Sequence, residues 1–575
     1  MCGIYGYIGN KKAIPILIDG LKHLEYRGYD SSGIAYVTNK INIVKEKGEV
    51  KNLENLIDTN IDTNIGLAHT RWATHGKANK INAHPHKQNK ITIVHNGIVE
   101  NYKELKKQLK EYNFKSETDT EILCALIDKI YNEKKDIIKT LNSLKNIIKG
   151  SYSLGIIIDD DLNSIYAIKK DSPLILSQNT VGSFITSDIP AILNYSNKYI
   201  ALDNNEIAHL TKDKITIYND KLDIINKDII TYEENKNSYS KNNFEHYMLK
   251  EIIEQKEIIK NTINSININE LPNLNKYNKI HIVGCGSAYN AGLIGKYLIE
   301  NYCDIEVKVE VASEYKYKNN FYNKDTLVIF ISQSGETIDT LECIKKVKQD
   351  KIDTLAIVNV TSSSIAREAD KVIYTKAGIE ISVASTKAYT SQILILAMIA
   401  LKTNFKDINI IDSINEVLTN DYIDISKLLS QTSKIFFIGR DLDYATCEEA
   451  ALKLKEITYI NCVAYKAGEL KHGPISLIDK NTYVIAINTD KNLSEKMMNN
   501  IKEVYSRGAK IIYITTNTLD KIDNFYKEKI IIPTLPILQP ILAIIPLQLI
   551  AYNVAKIKGC NIDKPRNLAK SVTVE

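Results

Sequence analysis

Residues 280–300, IHIVGCGSAYNAGLIGKYLIE, recur in pattern 155 positions later as 435–456, IFFIGRDLDYATCEEAALKLKE. In each copy a short β-rich apolar run ends at a glycine and a helical pattern follows, which reads as strand, tight turn, helix. Further matches hold the spacing: 328-VIFIS with 484-VIAIN, 355-LAIVN with 511-IIYIT, and 391-SQILILAMIA with 547-LQLIAYNVAK, at an offset of 156. Short strands alternating with helices build parallel sheets, so the repeat predicts two α/β domains of one topology. Ligands of such sheets bind outside the carboxyl ends of the strands.

Working outward, residues 2–215 have another character. Short apolar runs (91-ITIVHNGIV, 154-LGIIID, 165-IYAIKK, 183-SFITSD) are bounded by turn residues, and helical patterns stand at 101-NYKELKKQLKEY and, with a capped start, at 116-SETDTEILCALIDKI. This predicts an α+β domain. The Asn- and Lys-rich stretch 216–275, including 233-EENKNSYSKNN, reads as a linker, which leaves 276–410 and 428–565 for the two repeats and 566–575 as a tail. A chain of 575 residues exceeds one hydrophobic core.

Its 74 basic and 69 acidic side chains nearly balance, which argues against a nucleic-acid or membrane-surface partner. Eight scattered cysteines without a C-x-x-C pair fit a reducing, cytoplasmic setting. No signal peptide pattern opens the sequence. The segment 535–555 is apolar enough to consider as a membrane span, but Pro536, Pro540, Pro546, Gln539 and Gln548 interrupt it, so a buried helix is expected.

Between the run 326-TLVIFI and the next helix lies 332-SQSGETIDT, where Ser332, Ser334 and Thr337 offer hydroxyls and Gly335 permits a tight turn. A helix N-terminus with exposed amides binds phosphate; a plain Ser/Thr helix cap is the alternative. The second copy has 488-NTDKN there, without the hydroxyl cluster or the glycine, so capping alone did not require them.

Cys2 follows Met1, and removal of Met1 would leave a thiol and a free α-amine on one residue. Such an amine, with a pKa of about 8, can act as the thiol's base. A buried structural cysteine is the other reading. The runs 69-HTRWATHG, 95-HNGIVENY and 116-SETDTE add an arginine, an amide, a glycine turn and an acid in the same domain.

Together with MCGIYGYIG at 1–9 and 24-LEYRGYDSSG, these runs closely resemble the class II glutamine amidotransferase family, whose N-terminal-nucleophile domain is an αββα layering of α+β type. The resemblance implies that Cys2 attacks the glutamine amide while Asn96 and Gly97 form the oxyanion hole. It pairs Arg71 with the glutamine α-carboxylate and Asp119 with its α-ammonium. It also places Trp72, Thr74 and His75 in the glutamine loop, with Trp72, the single tryptophan, as a gate on an ammonia path; a core aromatic is the alternative. His84 and His86, in 84-HPH, come without an obvious third ligand, and no metal is implied.

In the second half, SQSGET, 383-VASTKAYT, 453-KLKEITYI, 466-KAGELKHGP and 565-PRNLAKSVTVE resemble the SIS (sugar isomerase) family. End to end, the chain is similar to glutamine-dependent enzymes that aminate a ketose phosphate. That resemblance implies L-glutamine and fructose 6-phosphate as substrates, ammonia passed internally between two sites, no cofactor and a homodimer. It assigns the sugar phosphate to Ser332, Gln333, Ser334, Thr337, Val383, Ser385 and Ala569.

Glu449, Lys453 and Glu456 share one helical face by spacing, which alone reads as an exposed ion-paired surface. The resemblance instead casts Glu456 as the base acting between C1 and C2 of the sugar, with Glu449 and Lys453 in support. It has His472 assist ring opening from the neighbouring subunit and Lys570 form a Schiff base with the ketose. One departure stands out: where relatives carry C-G-T-S, this chain has Cys285, Gly286, Ser287 and Ala288. The lost hydroxyl contact is worth about 1.5–3 kcal/mol unless Ser287 or water replaces it.

Overall fold

The computed structural model describes residues 2–73, 75–232, 240–361, 363–406, 408–519 and 525–573. Two units are built from them, 1–240 with 569–575, and 241–568.

In the first unit, an eight-stranded sheet runs in the order Ile230–Thr231, Lys198–Ala201, Ile175–Gln178, Gly182–Thr186, Gly3–Gly9, Ile65–Arg71, Ser31–Val37, Ile41–Lys47. A seven-stranded sheet runs Ile224–Ile225, Ile215–Tyr218, Ile207–Leu210, Asp161–Lys170, Gly150–Ile158, Ile91–Val99, His86–Gln88. Period-two alternation sorts the faces. In Gly3–Gly9, Ile4 and Ile8 join Leu67, Val94 and Ile157 in a core drawn from both sheets, while Tyr5 and Tyr7 pack with Leu17 and Leu21 of the helix Ala13–Leu24. On the other outer face, the helices Asp119–Lys134 and Ile137–Leu144 cover Ile91, Ile93 and Leu154. This is the expected αββα sandwich, and both sheets are antiparallel.

The second unit holds two five-stranded parallel sheets of identical order: Glu306–Val311, Lys279–Gly284, Thr326–Ser332, Asp353–Val358, Lys371–Tyr374, and Asn461–Lys466, Lys434–Gly439, Tyr483–Asn488, Lys510–Thr516, Glu528–Ile532. Counted outward from the first strand of each repeat, the order is 2-1-3-4-5, and chain direction switches beside that strand. Register refines the sequence match. Ile280 pairs Leu327 and Ile435 pairs Tyr483, but Leu327 then pairs Asp353 where Tyr483 pairs Lys510. Leu355 is therefore equivalent to Ile512, one residue from the match made with Ile511. Parallel strands buried on both faces are continuous apolar runs, so alternation cannot set their register.

Within 216–275, two short strands complete the sheets of the first unit, and the helix Tyr247–Ser265 packs into the core of the second. The helix Gln539–Ile557 is the one helix among the described residues long and apolar enough to cross a membrane. It is buried in the core shared by both repeats, and inside that core Gln548 Oε1 accepts a 2.7 Å bond from Gln255 Nε2.

Candidate active site

Strand polarity brings the first group together. Asn96 has the parity of Val94, and His69 and Arg71 that of Leu67, so all three aim into the space between the sheets where the Cys2 strand begins. Cys2 Sγ lies 3.6 Å from the Trp72 carbonyl oxygen, and the Cys2 carbonyl accepts from Asn96 Nδ2 at 3.0 Å and from Arg27 Nε at 3.2 Å. Gly97, next to Asn96, takes φ +135°.

Arg71 is buried and uses three of its five N–H donors on the carbonyls of His75, Gly76 and Lys77, clamping the loop that follows Trp72. Burial lowers its pKa, opposed by the acidic groups of Cys2, Asp30, Asp119 and Glu117 around it. Asp119 opens its helix and accepts from the Val99 amide at 2.8 Å. His75 sits edge-on to Tyr102, ring centroids 5.5 Å apart. Cys2, Arg71, Trp72, His75, Asn96, Gly97 and Asp119 thus occupy one end of the sandwich; Thr74 lies outside the described residues.

Sequence reading passed over three neighbours. Arg27 is buried and paired to Asp188 at 2.7 Å, Asp30 Oδ2 accepts from the Ala73 amide at 2.8 Å, and His69 Nε2 lies 3.1 Å from Asn96 Oδ1. Each lies within a motif already quoted, but its partner is more than 25 positions away, and spacing carries no such signal. His84 and His86 belong to a stack with His69 and His95, ring centroids 4.2 to 6.5 Å apart. Among the described residues no three His, Cys, Asp or Glu are grouped to hold a metal ion.

In the first repeat, Ser332 ends its strand and its Oγ accepts from the Gly335 amide at 3.0 Å and meets Thr337 Oγ1 at 3.2 Å; Ser334 Oγ accepts from the Glu336 amide at 3.1 Å. Thr337 is the N-cap of the helix Ile338–Gln349, yet its side chain makes no capping bond. The hydroxyls thus fold the loop on itself rather than capping the helix: the amides of Gly335 and Glu336 are taken up by Ser332 and Ser334, and hydroxyl hydrogens remain as donors for an anion. Gln333 lies in the same turn, its carbonyl accepting from the Asn359 amide at 3.1 Å. The loop carrying Val383 and Ser385 is braced by Glu380, whose carboxylate accepts from Ser385 Oγ at 2.8 Å and from the amides of Thr386 and Ala388.

Glu449, Lys453 and Glu456 do not form an exposed ion-paired face. The side chains of Glu449 and Lys453 are 0% and 1% exposed, and Glu456 is 20% exposed. Lys453 Nζ lies 3.4 Å from Glu449 Oε1 and 2.7 Å from Glu456 Oε2. Burial opposes its charge, but the two carboxylates win and its pKa is raised. Ser287 Oγ and Asn290 Nδ2, from the first repeat, each donate to Glu449 at 2.8 Å. The Ser287 hydroxyl proton is therefore spent on Glu449 and does not replace the serine hydroxyl missing at Ala288. His472 is exposed at the end of the turn Ala467–His472, in which Ala467 and Leu470 are buried. Ala569 and Lys570 are half-buried and belong to the first unit, whereas the 332–337 loop, Val383, Ser385 and Glu449–Glu456 belong to the second.

Equivalent positions of the second repeat are filled from within. Gly286 and Asp441, the residues before the two 17-residue helices Ser287–Cys303 and Leu442–Thr458, share φ/ψ of 54°/−126° and 52°/−125°. Ala288 is thereby equivalent to Asp443. Asp443 is buried, and its carboxylate accepts from the Thr489 amide at 2.7 Å and from the Thr489 hydroxyl. Thr489 is the counterpart of Gln333, so a carboxylate of the chain itself bonds this turn in copy two, whereas Ala288 has no polar side-chain group to do so in copy one.

The chain matches the glutamine amidotransferase domain family over residues 54–244 and the SIS domain family over 273–402 and 428–558. Fold and site thus define a glutamine amidotransferase unit joined to paired SIS domains. The chain is 45% identical to a glutamine–fructose-6-phosphate aminotransferase (isomerizing) of Clostridium tetani over 611 aligned positions, and 46% identical to one of Caldanaerobacter subterraneus subsp. tengcongensis over 611, covering 100% of both chains each time. It is similar to the solved C-terminal domain of glucosamine-fructose-6-phosphate aminotransferase from Francisella tularensis, 37% identical with a TM-score of 0.52, over 57% of this chain and 100% of that one. The chain belongs to the glutamine–fructose-6-phosphate aminotransferase (isomerizing) family.

Proposed function

We propose that this enzyme takes ammonia from L-glutamine in the 2–215 domain and uses it to convert fructose 6-phosphate to glucosamine 6-phosphate in the SIS domains 276–410 and 428–565. The Cys2 thiolate attacks the amide carbon; the oxyanion is held by Asn96 Nδ2 and the Gly97 amide. The C–N bond breaks as the nitrogen takes a proton and leaves as ammonia, and water releases glutamate from the thioester. Arg71 and Asp119 fix the α-carboxylate and α-ammonium of the glutamine, within the loop of Trp72, Thr74 and His75.

Ser332, Gln333, Ser334 and Thr337 hold the sugar phosphate, with Val383, Ser385 and Ala569 along the sugar. Lys570 condenses with the C2 carbonyl, expelling water, and ammonia displaces the lysine from C2. Glu456 carries a proton from C1 to C2 to complete the isomerisation, with Lys453 and Glu449 setting its charge. His472 assists ring opening across a homodimer, and the setting is cytoplasmic. Internal transfer of ammonia keeps it unprotonated.

The observation that carries this reading is the coexistence in one chain of Cys2 beside Asn96 and of a Glu449–Lys453–Glu456 cluster whose lysine and first glutamate are buried. Two variants test it. Cys2→Ala is expected to abolish glutamate release from glutamine, and Lys570→Ala to retain glutaminase activity while making no amino sugar. Glutamate release surviving Cys2→Ala, or amino sugar surviving Lys570→Ala, overturns it.

A further inference from the structure

An amide side chain serves an oxyanion only if its nitrogen, not its oxygen, faces the reacting carbon. The surroundings of Asn96 decide which way it turns. His69 is fully buried, and its Nε2 lies 3.0 Å from the His95 carbonyl oxygen and 3.1 Å from Asn96 Oδ1. A backbone carbonyl only accepts, so Nε2 carries a hydrogen, and an N–H facing Asn96 requires the amide oxygen on that side. The Asn96 nitrogen is thereby turned to Cys2, donating to its carbonyl at 3.0 Å with its second hydrogen to spare. Burial, with Arg71 and His95 adding to it, drops the His69 pKa to about 3, so the ring is neutral at working pH and has one proton to place. His84 packs against the ring, with centroids 4.2 Å and planes 30° apart.

We propose that His69 is a positioning residue for glutamine hydrolysis: its Nε2–H locks the Asn96 amide so that Nδ2 faces the oxyanion formed at Cys2. This rests on the glutaminase reading above. Without His69 the amide is free to turn and present a lone pair to the developing negative charge. Losing one oxyanion donor costs about 100- to 1,000-fold in kcat, and part of that loss is expected here.

The experiment measures steady-state glutamate release by the full chain in His69→Phe, His69→Gln, Asn96→Ala and the double variant His69→Phe/Asn96→Ala. Near-ultraviolet circular dichroism and the rate of Cys2 alkylation by iodoacetamide check the fold and the thiol. We expect His69→Phe to lower kcat about 10- to 100-fold with KM within about threefold. His69→Gln, whose amide also donates, recovers part of the loss, and the double variant is no slower than Asn96→Ala alone. Multiplying losses in the double variant, a change confined to KM, or no recovery in His69→Gln overturns the proposal. If His69→Phe does not fold, His69→Gln decides: kcat within about tenfold of the parent supports the role, and a larger loss refutes it. A parent chain that releases no glutamate sinks the glutaminase reading instead, so the two failures are distinguishable.

Discussion

A methyl group at position 97 would stand 2.1 Å from the Ser151 carbonyl oxygen, on a backbone at φ +135° that side chains rarely adopt. Neither atom yields freely, because Gly97 and Tyr152 are paired in the ladder that joins Ile91–Val99 to Gly150–Ile158. Gly97→Ala is therefore expected to lower glutaminase kcat by about 100-fold or more, by displacing the proposed oxyanion donors Asn96 and the residue 97 amide, and to destabilise the first unit by about 1–3 kcal/mol. Glutamate release and thermal melting of the full chain measure both. At this scale the sequence was legible where residues sit in short motifs: the family resemblance named Cys2, Arg71, Asn96 and Asp119, and the structure brings them to one end of the sandwich. It was not legible where a role depends on a distant partner. Ser287 donates to Glu449 from 162 positions away and His69 meets Asn96 from 27, and nothing in either motif announces the match.

Two copies of one element, strand–turn–helix, are used in opposite ways. In the first copy Ala288 has no side-chain acceptor for the turn at Gln333, whereas in the second the Asp443 carboxylate accepts from the equivalent turn at Thr489. Installing the second copy's residue in the first tests this. Ala288→Asp is expected to weaken fructose 6-phosphate binding at least about 100-fold by supplying a competing anion, while Ala288→Ser tightens it about tenfold by adding a hydrogen bond to a charged group. Calorimetric titration with fructose 6-phosphate reads both, and unchanged affinity in Ala288→Asp would mean the phosphate lies elsewhere. The repeat itself was readable because strand and helix periods recur at a fixed offset. Its register was not, and the fourth strand slipped by one residue because buried parallel strands look alike from either neighbour.

Across the whole molecule, acid should pull the two units apart in stability. In the first, burial lowers His69 to about 3, His84 and His86 well below their ordinary value, and His95 below it. Unfolded, these rings protonate near pH 6.5, so the unfolded chain binds more protons as pH falls and stability is lost from there downward, by up to about 1.4 kcal/mol per pH unit for each ring. In the second, burial raises Asp443 to about 6, so the folded state holds a proton that the unfolded chain releases. That contribution grows as pH falls through 6 and is complete near pH 4. Calorimetric scans of the full chain from pH 7.5 to 5 should show the first unit's transition falling by several degrees more than the second's. Transitions that move together would contradict this. The division into units carries one more consequence. Because residues 569–573 join the first unit after the whole of 241–568 has been made, a ribosome delivers the glutaminase unit in two instalments. Its final form waits on residues made after the whole second unit, and a protease cut after Ser240 would release a unit already missing part of itself.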